Sequence, residues 1–390
     1  MQATADVVII GAGVIGCSTA YHLARMGITD VVLVEMDQVG SGTSSKSASM
    51  LSLQFGTDEL STRMGIYSRA RYMQFEEEIG VSPDFEPTGW VSLATQESAE
   101  YLRRSARLLQ SLDIKTETLT PEEIKRRYPE INTDDIVLGT YGPDDGAIDP
   151  HMIMWGYVSR ARDMGVRLRQ GMRATDIRVR DGRVEGVMTT EGFLATHTVV
   201  NAGGPWAIEV GRWVGVEIPI INSARSILVT APFPEIPSDR PFVEDLTAEW
   251  YFRPEGPGIL MGMGASPTDT LDVSLDFETM EEIIDTAVNR VPVLERASVL
   301  TGWTGIRPMT LDDHPILGPV PSVDGFILNC GWDGEGIIQA PIAGQLVAEL
   351  IRDGQTATMD LDPFRIERFE GQSIEGVKDL RMFARQDSMT

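Results

Sequence analysis

The sequence predicts an α/β fold in which a parallel-sheet domain carries an inserted, α+β domain of mainly antiparallel sheet. Three observations carry this prediction. An uninterrupted apolar run, residues 6–10 (DVVII), leads into the glycine turn Gly11-Ala12-Gly13-Val14-Ile15-Gly16, as a strand buried on both faces of a parallel sheet does. A second such run, residues 31–35 (VVLVE), follows a helical stretch, which completes one βαβ unit of about 30 residues. Strand-rich stretches then lie between later glycine-bearing segments of the first type, so the second domain sits inside the first.

In chain order, residues 17–26 read as the helix of the βαβ unit, with Gly27 suited to cap its C-terminus. Residues 40–56 are small, polar and flexible. Residues 57–80 and 97–112 read as helical, and 121–131 as a short helix opened by Pro121 at its first position. Asp149-Pro150 starts another helix, reaching about Met164 and ended by Gly165. Between 173 and 201 the turn signals Asp181-Gly182 and Glu191-Gly192 separate three extended runs, which predicts a β-meander. Residues 216–305 mix strands with one helix near 277–291. The apolar strand 326–330 leads into a glycine loop and a last helix, about 339–352, closed by Gly354. The domain division that follows is 1–80, 145–215 and 305–365 for the discontinuous first domain, 81–144 and 216–304 for the inserted one, and 366–390 for a C-terminal tail.

Composition narrows the function classes. Thirty-three basic and 58 acidic residues give a net charge of −25, a field that repels nucleic acid and anionic membranes. No apolar run approaches the ~18 residues of a membrane span, and the polar start of the chain is unlike a secretory signal. Two cysteines, Cys17 and Cys330, make no disulfide framework and suit a reducing cytoplasm. No His/Cys cluster has metal-ligand spacing, so no metal is expected.

The glycine turn, with a buried strand before it, a helix after it and the acidic Glu35 closing the second strand, makes the βαβ unit a Rossmann-type dinucleotide fingerprint. Gly11 allows the tight turn, Gly13 lets backbone approach a pyrophosphate, and Gly16 lets helix pack on strand. The helix N-terminus, with Val14 and Ile15, offers partial positive charge to phosphates, and Glu35, followed by Met36, offers acceptors to ribose hydroxyls. The fingerprint alone leaves NAD and FAD both open.

Seven motifs in matching order decide further. They are the fingerprint; Gly40-Ser41-Gly42-Thr43-Ser44; Asp145-Gly146-Ala147-Ile148-Asp149-Pro150; residues 199–207 (VVNAGGPWA); residues 302–308 (GWTGIRP); residues 313–318 (DHPILG); and residues 330–336 (CGWDGEG) with Ala340-Pro341. In these the chain resembles the D-amino-acid oxidase superfamily of flavoproteins, and within it the branch of sarcosine oxidase, dimethylglycine dehydrogenase, glycine oxidase and the proline dehydrogenase β subunit. The resemblance implies FAD. It adds to the cofactor-binding set Gly42, Thr43, Ser44, Ala202, Gly203, Trp206, Gly305, Gly331, Trp332, Gly334, Glu335, Gly336 and Ile337. The last helix, with Pro341 in its first turn, is expected to aim its positive end at the flavin C2=O.

The resemblance further implies an amine or amino-acid oxidoreductase: hydride leaves the carbon beside a neutral amine for flavin N5, giving an imine, with sarcosine, dimethylglycine, glycine or proline as model substrates. Arg307 matches the arginine that anchors substrate carboxylate, a fork suited to bidentate pairing; a structural ion pair is its plain alternative. Tyr251 resembles the tyrosine that assists the anchor, or is a packed core aromatic. The basic residues that anchor carboxylate in sarcosine oxidase align with Ser52 and Ile338. The attachment cysteine of that enzyme aligns with Gly305, and the attachment histidine of dimethylglycine dehydrogenase aligns with Lys46. FAD is therefore expected to be non-covalent, with Lys46 beside the flavin or solvated in its loop. An oxygen-activating lysine aligns with Leu260, which favours a dehydrogenase or slow oxidase; the electron acceptor, whether oxygen, quinone or carrier protein, stays open. Glu335 either faces the flavin edge or is an exposed loop acid. Among the histidines, His22 and His151 read as structural, His197 lies in the meander, and His314 lies in a family turn. Two other readings stand beside this one: a D-amino-acid dehydrogenase, and a non-catalytic FAD-bearing electron-transfer subunit of a homo- or hetero-oligomer.

Overall fold

The first apolar run forms strand Val7–Ile10, which pairs in parallel with Val31–Val34 on one side and Val199–Asn201 on the other. The computed structural model describes residues 3–54 and 58–372. The full sheet has six strands in the order Ile316–Pro319, Phe326–Cys330, Val199–Asn201, Val7–Ile10, Val31–Val34, Arg167–Arg169, and only the Ile316–Pro319 edge runs antiparallel. Side chains alternate across it, as the two-residue period requires. Val7, Ile9, Val31 and Leu33 enter a core with helices Val14–Arg25, Pro150–Asp163 and Gly336–Asp353. Val8, Ile10, Val32 and Val34 enter a second core with helix Ala207–Trp213 and a small sheet. That sheet is the expected meander, Ala174–Arg180, Arg183–Thr189 and Gly192–Ala195, joined in parallel by Ala3–Thr4.

The other large sheet has eight strands in the order Val299–Met309, Ile221–Thr230, Gly258–Pro267, Trp250–Glu255, Phe242–Asp245, Trp90–Ala94, Leu138–Gly142, Glu117–Leu119. All pairings are antiparallel except Phe242–Asp245 with Trp90–Ala94. One face buries Val91, Leu93, Leu228, Val243, Trp250, Phe252 and Met261 against Ile283 and Ala287 of helix Phe277–Arg290. Arg290 of that helix reaches Asp245 at 2.7 Å and Asp135 at 2.7 Å, an ion-pair group that ties helix to sheet.

Several elements differ from expectation. The helix expected over 57–80 divides into Glu59–Tyr72 and Phe75–Ile79. Its start is set by Asp58, whose carboxylate accepts from the Ser61 amide at 2.9 Å as an N-cap; residues 55–57 lie outside the described residues. The last helix begins at Gly336, three residues earlier than expected, so Pro341 lies inside it and not in its first turn. Proline brings no N–H to the carbonyl four residues back. The Tyr72 hydroxyl donates instead to that Ile337 carbonyl at 2.5 Å. Of the expected tail, Ile366–Phe369 makes a 3-10 turn with Phe369 buried, and 373–390 lie outside the described residues. Among the described residues, no helix is long and apolar enough to cross a membrane, and no group of three or more His, Cys, Asp or Glu side chains is disposed to hold a metal.

Candidate active site

A cleft opens where the carboxyl ends of the parallel strands meet one face of the eight-stranded sheet. Ile10, Val34, Ala202, Asn329 and Cys330 line it from the parallel side; Ile227, Phe242, Glu244, Tyr251, Gly305 and Arg307 line it from the other. Open α/β sheets place ligands at such carboxyl ends.

The parallel side is built from backbone. Gly11 has φ +101°, and a Cβ there would lie 2.5 Å from the Ala202 carbonyl oxygen. A Cβ on Gly16 would lie 1.9 Å from the Gly11 carbonyl oxygen. Gly16 does not line the cleft; it lets the helix close on the turn, so that Gly13, Val14 and Ile15 do line it. Glu35 accepts from the Ala12 amide at 2.9 Å and the Asp37 amide at 3.0 Å, which fixes its carboxylate beside the turn. Ser44 Oγ accepts from the Val14 amide at 3.0 Å, and Thr43 Oγ1 donates to the Ile306 carbonyl at 2.6 Å. These two bonds clamp the 40–46 loop between fingerprint and sheet.

The sheet side is built from side chains. Ser92, Glu244, Tyr251, Gly262, Ile227 and Trp303 stand in one cross-strand row. Two residues along their strands, Arg225 stands opposite Gly305, and two further on Ser223 stands opposite Arg307. Period-two alternation puts all of these on the face away from the buried core. Tyr251 lies over Gly262, where a Cβ would meet its hydroxyl at 2.3 Å. Arg307 lies flat on Gly334, where a Cβ would sit 2.4 Å from the guanidinium carbon; the loop glycine thus makes room for the arginine. Burial raises the Tyr251 pKa against the opposing charges of Arg307, Arg225 and Arg253. Lys46 crosses Gly305, with 3.1 Å between its Cβ and the site of a glycine Cβ, and Trp303 Nε1 donates to the Lys46 carbonyl at 3.2 Å.

Of the remaining candidates from the sequence, Met36, Gly42, Thr43, Ser44, Gly203, Trp206, Gly331, Trp332, Gly336 and Ile337 all line the cleft. Trp332 is held by its Nε1 donating to Asn329 Oδ1 at 3.1 Å. Glu335 corrects both expectations made for it: it neither lines the cleft nor is exposed. It is 5% exposed, accepts from Ser61 Oγ at 3.0 Å and from the Gln339 amide, and burial, with Asp333 and Asp313 nearby, pushes its carboxyl up to about 8. The chain turns at Asp333 and Gly334, both with positive φ, and past this turn Glu335 points into the protein. His314 also stands away from the cleft, 2.6 Å from Asp58. Burial opposes its charge, and the hydrogen bond and charge of Asp58 outweigh it, so its pKa is raised.

Sequence reasoning missed Glu244, Arg225, Trp90 and Phe242, which line the sheet side. Arg225 pairs with Glu249 at 3.0 Å. Trp90 stacks on Phe242 and Phe242 on Tyr251, with centroids 4.0 and 5.2 Å apart. Burial pushes the Glu244 carboxyl up to about 7, against the Ser92 and Trp90 hydrogen bonds and the Arg307 charge, which lower it. The one signal in the sequence was alternation in Phe242-Val243-Glu244-Asp245, which sends the two acids to opposite faces without saying which face is the cleft.

A βαβ glycine cradle joined to a side-chain-lined sheet is the arrangement of a dinucleotide-dependent enzyme class. The model of the family DAO, FAD dependent oxidoreductase, matches residues 6–350, and the chain belongs to this family. Its cofactor is FAD, and the cradle fits it: the positions of Gly11 and Gly16, which leave no room for a Cβ, the helix start lining the cleft at Gly13, Val14 and Ile15, and the acidic Glu35 are what a dinucleotide requires. The chain is 32% identical over 398 residues to mitochondrial sarcosine dehydrogenase of Mus musculus, covering 98% of this chain and 43% of that protein. It is 32% identical over 378 residues to sarcosine oxidase subunit beta of Arthrobacter sp, covering 94% and 91%. The crystal structure of L-proline dehydrogenase from P. horikoshii superposes with a TM-score of 0.87 at 26% identity, covering 95% of this chain and 99% of that one. The chain spans less than half the length of the mitochondrial sarcosine and dimethylglycine dehydrogenases it matches.

Proposed function

We propose that this chain oxidises the carbon–nitrogen bond of a small amino acid, of the sarcosine, dimethylglycine, glycine or proline kind, with FAD held non-covalently in a Rossmann-type cradle. The observation that carries the reading is Arg307, seated on Gly334 of the glycine loop and lining the same cleft as the fingerprint. Bound FAD supplies the two-electron acceptor. The chain supplies position: Arg307 takes the substrate carboxylate through its planar fork, Tyr251 borders it, and the aromatic stack of Trp90, Phe242 and Tyr251 keeps water from the reacting carbon. The start of helix Gly336–Asp353 reaches the cleft at Gly336 and Ile337, which supports a role for its positive end in favouring negative charge on a reduced ring. Lys46 is available for the same purpose.

Non-covalent binding is supported by Lys46 and Gly305 at the two attachment positions of related enzymes. Cys330 lines the cleft, and burial pushes its thiol up to about 12, so it stands as a thiol and not as a nucleophilic thiolate. Leu260, buried at 2% exposure where related oxidases carry a lysine, supports a dehydrogenase or slow oxidase.

Anaerobic mixing of the yellow protein with sarcosine, N,N-dimethylglycine, glycine and both proline enantiomers tests the reading. Bleaching of the flavin band by at least one of them is expected. A band unchanged by all, in protein that dithionite does bleach, overturns it. Acid precipitation is expected to leave the flavin in the supernatant.

A further inference from the structure

Three acidic side chains line the cleft among the described residues: Glu35, Glu209 and Glu244. Glu35 is occupied with the fingerprint amides, and Glu209 faces Arg173 at 3.5 Å beside the meander. Glu244 alone stands at the sheet end, in the same cross-strand row as Tyr251 and on the face that carries Arg225 and Arg307. Its Oε1 receives two donors, Ser92 Oγ at 2.6 Å and Trp90 Nε1 at 3.1 Å, and these fix the carboxyl. Within the aromatic wall beside it, the central ring offers no face to a cation. Phe242 is sandwiched between Trp90 and Tyr251 at interplanar angles of 28° and 25°, so it presents only its edge, the positive rim of the ring quadrupole.

An amino acid reaches this end as a zwitterion. Its carboxylate has Arg307 to pair with; its ammonium has Glu244, the cleft-lining carboxylate at this end among the described residues. We infer that Glu244 binds the substrate ammonium and accepts its proton, so that the amine stands neutral, with a free lone pair, at the reacting position. This rests on the amine-oxidising reading above. In the step, one N–H bond of the ammonium breaks and one O–H bond forms on Glu244; the electron pair of the N–H bond stays on nitrogen, and the proton leaves to water when the product departs. No oxidant takes part. Burial favours the outcome, because a neutral amine beside a neutral acid carries no charge to desolvate. Burial raises the affinity of Glu244 for the proton most, to about 7; the Ser92 and Trp90 donors and the Arg307 charge lower it, and Asp245, on the opposite face of the strand, raises it. Tyr251 stays neutral across the range, its pKa raised, and Arg225 is paired with Glu249.

The test compares the wild-type, Glu244→Gln and Glu244→Asp holoenzymes. Each is titrated with two probes while the flavin spectrum is followed: sarcosine, and methoxyacetate, which keeps the shape and carboxylate of sarcosine but has no ionisable nitrogen. Glu244→Gln is expected to weaken sarcosine by at least about ten-fold, the scale of one charge-assisted hydrogen bond, and to leave methoxyacetate within about two-fold. Anaerobic bleaching at sub-saturating sarcosine is expected to rise through pH 7 in the wild type. In Glu244→Gln it follows only the ionisation of free sarcosine, at higher pH, and Glu244→Asp restores a lower-pH limb. Equal weakening of both probes, or an unchanged pH profile in a Glu244→Gln variant that keeps its flavin, overturns the role of Glu244 while the amine-oxidising reading survives. A wild-type flavin that no amine in the panel reduces overturns that reading, and the role with it.

Discussion

The two ends of the cleft are built by opposite means. At the fingerprint end the working surface is main chain: glycines at 11 and 16, where a Cβ would lie 2.5 and 1.9 Å from a carbonyl oxygen, and one carboxylate tied down by two amides. At the sheet end the backbone is regular, and the working surface is a face of side chains spaced two residues apart. Backbone sites bind what every member of a family shares, since amides and dipoles recognise phosphate and ribose without regard to the rest of the ligand. Side-chain faces hold what differs between members, because a single substitution on an outward position changes the face without disturbing the ladder behind it.

That contrast can be broken in three ways. The largest effect is expected at the fingerprint. Gly16→Ala ordinarily helps a helix by about 1 kcal/mol, but here the added carbon meets a carbonyl oxygen at 1.9 Å. Destabilisation at or beyond the upper end of the ~1–3 kcal/mol range for overpacking follows, read as a lowered Tm together with loss of bound flavin. A stable yellow Gly16→Ala protein would mean that the cradle is not rigid.

At the other end, Arg307→Ala is expected to leave the flavin in place and raise KM for a carboxylate substrate by the ~1.5–3 kcal/mol of a charged hydrogen bond, roughly ten- to over a hundred-fold. Steady-state kinetics beside the flavin spectrum separate the two ends. Flavin loss without a KM effect in the remaining holoenzyme would assign Arg307 to the cofactor and erase the distinction.

A third test concerns Glu335, which lies just behind the glycine loop. Its folded carboxyl stands at about 8 against an ordinary 4.5, raised by burial first and then by Asp333 and Asp313. The folded state therefore holds a proton that the unfolded state releases between those values. The stability this contributes is full below about pH 4.5 and is lost as pH rises through 8. Glu335→Gln is expected to match the wild type in Tm near pH 5 and exceed it near pH 9. Parallel Tm curves across that range would place an ionised carboxylate in the core.

Legibility followed the same divide. The cradle could be read because the fingerprint writes its geometry in sequence order, within one βαβ unit. The elements of the second sheet were legible as strands and a helix, but not the face that meets the cleft. Arg307 and Tyr251 were recognised only through resemblance, and Glu335 was misjudged because the turn at Asp333-Gly334 sends it into a buried polar group.

Glu244 and Asp245 state the limit most simply. The sequence by itself determined that two adjacent acids on a strand face opposite ways, and that Gly11 and Gly16 admit a close turn. Only the tertiary structure decided that Asp245 closes an ion pair with Arg290 of a covering helix, while Glu244 faces the cleft with Arg307. The reason is physical: which face of a sheet is covered depends on the helix that packs on it, and that helix begins more than thirty residues further along the chain.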